Sequence, residues 1–323
     1  MIRAIRVAAT GGPEVLHMGE IALEPPGDDE IQVRHRAIGV NFIDTYFRSG
    51  LYKTALPFTP GQEASGVVEA TGAGVTQFKP GDRVVYLHTP GAYAEARNVP
   101  AVKAVPVPDA VSDEVAAAVL LKGLTAQYLL RRTFKVGPEH TVLYHAAAGG
   151  VGLILGQWAK HLRATVIGTA GGPEKVALAL EHGYDHVIDY RAEDFVAKTL
   201  ELTHGQKADV VYDSVGKDTF PGSLDVLKPL GLWVSFGQSS GPVPPFDIGI
   251  LNSKGSLFAT RPTVFTYNPD HATLLASAAE LFALIAQGII RVDIHQRFAL
   301  ADARKAHEAL EGRATTGATI LIP

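Results

Sequence analysis

The run from Val142 to Gly152 restricts the fold more than any other part of the chain. It reads Val-Leu-Tyr-His-Ala-Ala-Ala-Gly-Gly-Val-Gly and passes directly into Leu-Ile-Leu-Gly-Gln-Trp-Ala-Lys. An apolar strand enters a turn of small residues, and the turn opens a helix. Taken as Ala147-x-Gly149-x-x-Gly152, it is the dinucleotide-binding fingerprint with Ala in the first glycine slot. Gly149 lets the main chain approach a pyrophosphate, and Gly152 lets the helix lie close on the strand. The free N–H groups and positive dipole end of the helix face the phosphates in such a site. The plainer alternative is a tight β-α turn that holds no ligand.

The surroundings of this turn favour the first reading. From about residue 123 to 288, strands and helices alternate. Strands are expected at 142–147, 165–169, 187–189, 209–213, 231–236 and 256–259. Helices are expected at 150–162, 173–182, 192–203 and 219–228. Pro173 suits a first helical turn, where its missing N–H would be unpaired anyway, and Gly183 suits a helix end. Repeating β-α units of this length imply parallel strands with right-handed crossovers, hence an α/β Rossmann fold with a doubly wound parallel sheet. Residues 271–287 read as a strongly apolar helix. Before residue 122, short β-like runs at 31–40, 64–70, 82–87 and 92–99 are separated by turn signals such as Lys79-Pro80-Gly81-Asp82. The tail, 297–323, reads as strand, helix and strand. A chain of 323 residues accommodates two domains. We expect a discontinuous, mainly β domain from residues 1–122 and 289–323, and a dinucleotide-binding domain from 123–288.

Composition removes several function classes. A net charge of -4 leaves no electrostatic footprint for nucleic acid. The chain has no Cys, which excludes disulfides, a thiolate nucleophile and any Cys-bound zinc or iron–sulfur site. Its 12 His are scattered, and Gly183 separates His182 from His186, so no metal site is expected. The longest apolar runs, 115–121 and 281–286, fall far short of the ~18 residues that span a bilayer. The first residues lack the apolar core of a signal peptide, so a cytosolic enzyme is expected. Gly237-Gln-Ser-Ser-Gly241 matches the G-x-S-x-G pattern of a hydrolase elbow. That elbow needs a helix straight after the Ser, and Pro242, Pro244 and Pro245 follow instead. A Gly/Ser loop at the carboxyl edge of the sheet is the better reading.

Cofactor choice can be read from the second strand. NAD sites place Asp or Glu there, ~20 residues after the glycine turn, to hold the ribose 2′-hydroxyl. This chain has Thr169-Ala-Gly-Gly172. Lys175 follows in the next helical turn, and Tyr190 ends the third strand. A lysine attracts a 2′-phosphate that a carboxylate would repel, so NADPH is expected over NADH.

Several motifs together carry a resemblance. They are Asn41-Phe-Ile-Asp-Thr-Tyr46, Arg48-Ser-Gly-Leu-Tyr52, Leu121-Lys-Gly-Leu-Thr125, His145 to Gly152, Val211-Tyr-Asp-Ser-Val-Gly216 and Val234-Ser-Phe-Gly237. In this order they resemble the bacterial NADPH:quinone oxidoreductases, the zeta-crystallin-like, zinc-free branch of the medium-chain dehydrogenase/reductase superfamily. The similarity runs from Gly11 to Gly317. It implies a GroES-like catalytic domain beside the Rossmann domain, with the active site in the cleft between them. It also implies a homodimer whose Rossmann sheets join edge to edge through the sixth strand, near 256–261. Zinc-dependent relatives carry Cys close to the place of Asn41 and Gly-His-Glu at Gly61-Gln62-Glu63.

By the same resemblance Gly149, Gly150, Val151 and Gly152 meet the pyrophosphate, and Lys175 and Tyr190 meet the 2′-phosphate. Thr125, Phe236, Gly237 and Ser239 border the nicotinamide, while Arg313 closes over phosphates or adenine. Ser214 and Phe258 join the cofactor site; Gly171 and Gly172 are expected from their position alone to offer backbone contacts. Asn41, Tyr46 and Tyr52 face the substrate, brought together in a loop. A quinone accepts electrons in its own ring, so neutral donors suffice to orient and polarise it. Asn41 and the two tyrosines have that chemistry. Two alternatives remain at this point: reduction of the C=C bond of alkenals or enones, and a non-catalytic RNA-binding or structural role.

Overall fold

The computed structural model describes all 323 residues, which form two compact units. The first comprises residues 1–122, 268–286 and 292–323; the second comprises 123–267 and 287–291. The helix Asp113–Tyr128 contains the change from one to the other, and the apolar helix His271–Ala286 belongs with the first. No helix is long and apolar enough to cross a membrane.

The first unit is built on a seven-stranded sheet. Its order is Ile294–Ala299, Ala318–Ile322, Glu30–Val40, Glu63–Thr71, Arg83–Leu87 and Ala104–Pro106, with Ala96–Pro100 also paired to Glu30–Val40. All pairs are antiparallel except the first, which is parallel. Strand Glu30–Val40 shows why the sheet curls. Ile31, Val33 and His35 are buried while Gln32 and Arg34 are only half so, the alternation of a one-faced strand. Register shifts near Gln32 and His35 then re-aim the chain, and Ala37–Val40 is buried throughout. Ile31, Val33, Ile38, Val68, Val84, Tyr86, Tyr93 and Leu321 form the core.

Two helices of this region differ from expectation. Residues 41–46, expected as a loop, begin the helix Phe42–Ser49. Asn41 is its N-cap, Asp44 accepts a bond from the Asn41 backbone N–H at 2.9 Å, and Gly50 ends it at φ 84°. The helix is amphipathic but only about two turns long, so its period is brief and the caps at Asn41 and Gly50 are the further local signal. Asp113–Tyr128 is likewise a helix where the sequence shows only an apolar run at 115–121. Its Ala116–Leu120 segment is buried on every side, so no amphipathic stripe marks it.

The second unit carries a six-stranded parallel sheet. Its order is His186–Asp189, Thr165–Ala170, Thr141–His145, Ala208–Asp213, Leu227–Ser235, Phe258–Thr260. In chain order this is 3-2-1-4-5-6, the doubly wound Rossmann arrangement, whose switch point lies between the first strand and the fourth. One element shrinks. The helix expected at 219–228 is a single turn, Gly222–Asp225, because Leu227 already pairs with Ala208 in the sheet. Helices Gly150–His161, Pro173–Leu180 and Phe195–Leu202 follow the first three strands.

Candidate functional site

On the Rossmann unit, chemistry gathers at the carboxyl ends of the strands. Strand Thr141–His145 leaves the sheet through Ala146, held at φ 66°, a left-handed conformation that costs a non-glycine residue energy. Gly149 caps the helix Gly150–His161 with no side-chain bond, so the N–H groups of Gly150, Val151 and Gly152 have no acceptor within the helix. A Cβ on Gly152 would stand 2.4 Å from the Ala147 carbonyl oxygen. Only glycine lets this helix close down on the turn, and the resulting ring of open amides fits a pyrophosphate.

The second strand ends at Ala170, followed by Gly171 and Gly172. A Cβ on Gly171 would meet the Tyr190 hydroxyl at 2.5 Å and Arg191 Nε at 3.2 Å. Asp189 Oδ1 accepts from the N–H groups of Gly172 and Arg191, at 2.9 and 3.0 Å, which fastens the two strand ends together. A hydroxyl, a guanidinium and a glycine backbone thus converge on one spot. Lys175 lies in the first turn of helix Pro173–Leu180 nearby in sequence. Arg191 is a cation that sequence reasoning missed; only its place after Tyr190 hinted at it. The donor set fits a phosphate ester.

The fourth and fifth strand ends are held by Asp213, fully buried. Its Oδ1 accepts from the N–H groups of Val215 and Gly216, and its Oδ2 from Thr219, Ser223 and Trp233. Ser223 also meets His145 Nε2 at 3.1 Å, and Thr169 meets His145 Nδ1 at 3.1 Å. Burial pushes the His145 imidazole below its usual pKa, favouring a neutral ring. Ser214, Phe236, Gly237 and Ser239 are brought together here. Phe236 and Gly237 donate to the Asp213 carbonyl, Ser239 to the Ser214 carbonyl, and a Cβ on Gly237 would lie 2.7 Å from that same oxygen. Arg261 holds the loop by bonding the carbonyls of Ser235 and Gly237 and the Gln238 side chain. Asp213 and Arg261 were not singled out from sequence: Asp213 binds groups 2 to 20 positions on, and Arg261 groups 23 to 26 positions back, at no spacing that marks a motif. Thr125 is buried in helix Asp113–Tyr128. Phe258 does not join this group. It opens the edge strand opposite Leu232, short of the carboxyl ends, and is 60% exposed.

In the first unit, Asn41, Tyr46 and Tyr52 are neighbours along one helix and the turn after it. The Tyr46 and Tyr52 rings meet edge-on at 5.3 Å, and Tyr52 N–H donates to the Tyr46 carbonyl. Arg313 belongs to this unit too, at φ 56° after helix Ala303–Glu311.

Beneath them lies a buried polar network that sequence reasoning did not foresee. Glu63, fully buried, accepts from the Leu121 N–H at 2.6 Å, Asn41 Nδ2 at 2.8 Å and Lys122 Nζ at 3.3 Å. Lys122 Nζ also donates to Asn41 Oδ1 at 2.8 Å. A second chain starts at Asp44. Tyr93 Oη donates to Asp44 Oδ2 at 3.0 Å and lies 3.1 Å from His307 Nε2. Arg48 Nη1 stands 3.1 Å from His307 Nδ1 and bonds Glu311 through both nitrogens. Arg48 can only donate, so His307 Nδ1 accepts and Nε2 carries the proton. Burial and the Arg48 charge lower the His307 pKa to about 3, while burial raises that of Asp44 to about 7.

Family models match both units: residues 27–109 fit the "Alcohol dehydrogenase GroES-like domain" and residues 150–268 fit "Zinc-binding dehydrogenase". A Pseudomonas aeruginosa protein described as a quinone oxidoreductase is 54% identical, with both chains covered in full. A Burkholderia 2-haloacrylate reductase is 41% identical over all of this chain and 99% of its own. Among solved structures, Escherichia coli quinone oxidoreductase complexed with NADPH superposes at a TM-score of 0.98, with 51% identity over 99% of this chain and all of that one. The zinc in the second family's description does not suit these residues. No group of three or more His, Cys, Asp or Glu converges anywhere. Glu63 already has three donors, and the Lys122 ammonium stands where a cation beside Asn41 and Glu63 would go.

Proposed function

The chain belongs to the quinone oxidoreductase family, and from that membership we propose that it reduces quinones with NADPH and without a metal ion. The balanced reaction is quinone plus NADPH plus a proton giving hydroquinone and NADP⁺. The bound coenzyme supplies the hydride from its dihydronicotinamide ring. The protein's own part is binding, orientation and protection of the charge that arrives.

The observation that carries the reading is the convergence of phosphate-seeking groups at three strand ends. The amides of Gly150, Val151 and Gly152 take the pyrophosphate. Tyr190, Arg191 and Lys175, around Gly171 and Gly172, take the 2′-phosphate and so select NADPH. Ser214, Phe236, Gly237, Ser239 and Thr125 border the nicotinamide; Arg313 and Asn41 are the further cofactor-binding residues of this reading. Asn41, Tyr46 and Tyr52 orient the quinone oxygen. A tyrosine hydroxyl and the Asn41 amide are both neutral hydrogen-bond donors of the kind a quinone oxygen accepts. Solvent or a tyrosine supplies the final proton.

The reading includes a homodimer in the cytosol. Support for the dimer is the edge strand Phe258–Thr260, which has one neighbour only and carries the exposed Phe258, with exposed Leu230 in the strand beside it. Light scattering of the purified protein at twice the chain mass of 34.3 kDa is the expected result.

Oxidation of NADPH followed against 1,4-benzoquinone and larger quinones, with NADH as control, tests the whole. Fast turnover with quinones and a preference for NADPH are expected; no turnover with any quinone refutes the reading. The identity to a 2-haloacrylate reductase supports one rival, reduction of an activated C=C bond. Alkenals and haloacrylates in the same assay decide between them, because the rival predicts higher rates there than with quinones.

A further inference from the structure

We propose that Lys122 and Glu63 are positioning residues that lock the Asn41 side-chain amide in one orientation, making its remaining N–H the directed donor to the substrate oxygen. The inference rests on the reading of Asn41 as a substrate-facing group.

Each side of the Asn41 amide meets a group that can play only one part. Lys122 Nζ is a donor without acceptor capacity, and it lies 2.8 Å from Asn41 Oδ1. The Glu63 carboxylate is an acceptor, and it lies 2.8 Å from Asn41 Nδ2. Flipping the amide would set an NH₂ group against an ammonium and a carbonyl against a carboxylate. Both contacts would then be repulsive, so the orientation is chemically determined. The ion pair itself closes the triangle at 3.3 Å, with the Lys122 side chain 7% exposed and Glu63 fully buried.

The chain is shaped to admit this triangle. A Cβ on Gly39 would stand 2.3 Å from Glu63 Oε1 and 2.4 Å from the Ala117 carbonyl, so glycine is needed two residues before Asn41. The Leu121 N–H, at 2.6 Å, holds the other carboxylate oxygen. A buried ion pair of this kind is a poor source of net stability, since desolvation offsets its attraction. What it supplies is direction. One Nδ2 proton is bound to Glu63, and the other is left for a ligand. The hydride that bound coenzyme would supply carries its hydrogen and electron pair to the quinone together, leaving one quinone oxygen anionic. A preset N–H, polarised by the ammonium on the far side of its amide, stabilises that oxygen without reorganising, and a solvent proton then completes the hydroquinone.

The test is a double-mutant cycle on quinone turnover, using Lys122→Met, Asn41→Ala and their combination. Lys122→Met should lower kcat for quinone about 10- to 100-fold, a part of the loss seen when an oxyanion donor is removed. In the Asn41→Ala background the same substitution should change kcat less than about threefold, because a residue acting through Asn41 has nothing left to act on. Turnover is read at saturating NADPH, with affinity checked by calorimetry for each variant, so that kcat and not coenzyme binding carries the comparison. In the protein without coenzyme, the Asn41 side-chain NH₂ signal, seen by ¹⁵N-asparagine labelling, should shift and broaden on Lys122→Met as the amide gains a second orientation. Lys122→Met leaves Glu63 unpaired, so Lys122→Met/Glu63→Gln, which carries no unpaired charge, stands in if the single variant does not fold. The proposal is overturned if Lys122→Met leaves kcat intact, or costs as much without Asn41 as with it. If Asn41→Ala alone keeps full turnover, the substrate role of Asn41 is what fails.

Discussion

Asp44 offers a quantitative test of how the first unit is held together. Its carboxyl is 1% exposed, accepts bonds from the Asn41 N–H and the Tyr93 hydroxyl, and has no partner at Oδ1. Burial raises its pKa from 3.8 to about 7; the two hydrogen bonds and the Lys122 charge oppose the rise, and the Glu63 charge adds to it. The sign of the stability effect follows from linkage. Below pH 3.8 the carboxyl is protonated in both folded and unfolded chains and has no effect. Between 3.8 and about 7 the unfolded chain loses the proton and the folded one keeps it, so stability falls as pH rises. Above about 7 the full cost is present. At 1.36 kcal/mol per tenfold change, the interval from 3.8 to about 7 amounts to about 4 kcal/mol. Asp44→Asn removes the ionisation and keeps an oxygen for both donors. Relative to wild type, the variant should therefore gain roughly 2 to 3 kcal/mol of stability between pH 5 and pH 8. His307, with its pKa lowered to about 3, pulls the other way, since it loses stability as pH falls below 6.5; present in both proteins, it largely cancels in the difference. Urea denaturation of both proteins at four pH values between 5 and 8, followed by circular dichroism, measures the quantity. A difference that is flat with pH, or that grows in favour of wild type at high pH, refutes the argument that Asp44 keeps its proton through burial.

Other expectations follow from the cofactor side. Lys175→Ala and Arg191→Ala should each raise KM for NADPH roughly tenfold, the loss of one charge-assisted bond, while KM for NADH stays level; steady-state kinetics with both coenzymes checks this. Gly152→Ala drives a Cβ to 2.4 Å from the Ala147 carbonyl, a backbone atom that cannot move aside, so calorimetry should show NADPH binding abolished. Gly171→Ala meets instead the far end of the Tyr190 side chain at 2.5 Å and should weaken NADPH affinity less. Tyr46→Phe and Tyr52→Phe should each lower quinone kcat modestly if their hydroxyls orient substrate; full turnover in both variants would remove any role as proton donor.

Much of the second unit was legible in the chain, and the reason is locality. The glycine turn at 149–152, Pro173 at a helix start and the β-α alternation each depend on residues within a few positions of one another. Lys175 and Tyr190 could be named because strand ends in a doubly wound sheet mark where a nucleotide lies. Phe258 was carried along with them, yet the register opposite Leu232 puts it before the end of its strand. The helix Phe42–Ser49 was hidden because its amphipathic period is brief and its further signal is a reciprocal cap between Asn41 and Asp44.

By itself, then, the order of residues determined the Rossmann sheet, the glycine turn that opens its first helix and the absence of thiol chemistry. All of these are set by periodicity, backbone permissiveness and composition. Only tertiary structure decided what surrounds Asn41. Glu63 and Lys122 are 22 and 81 positions away from it, and Arg48 meets His307 across 259. Nothing local marks a lysine as the partner of an asparagine so far along the chain. The burial that joins them, and that shifts Asp44 and His307 in opposite directions, exists only once the sheet has closed over these side chains and removed water from between them.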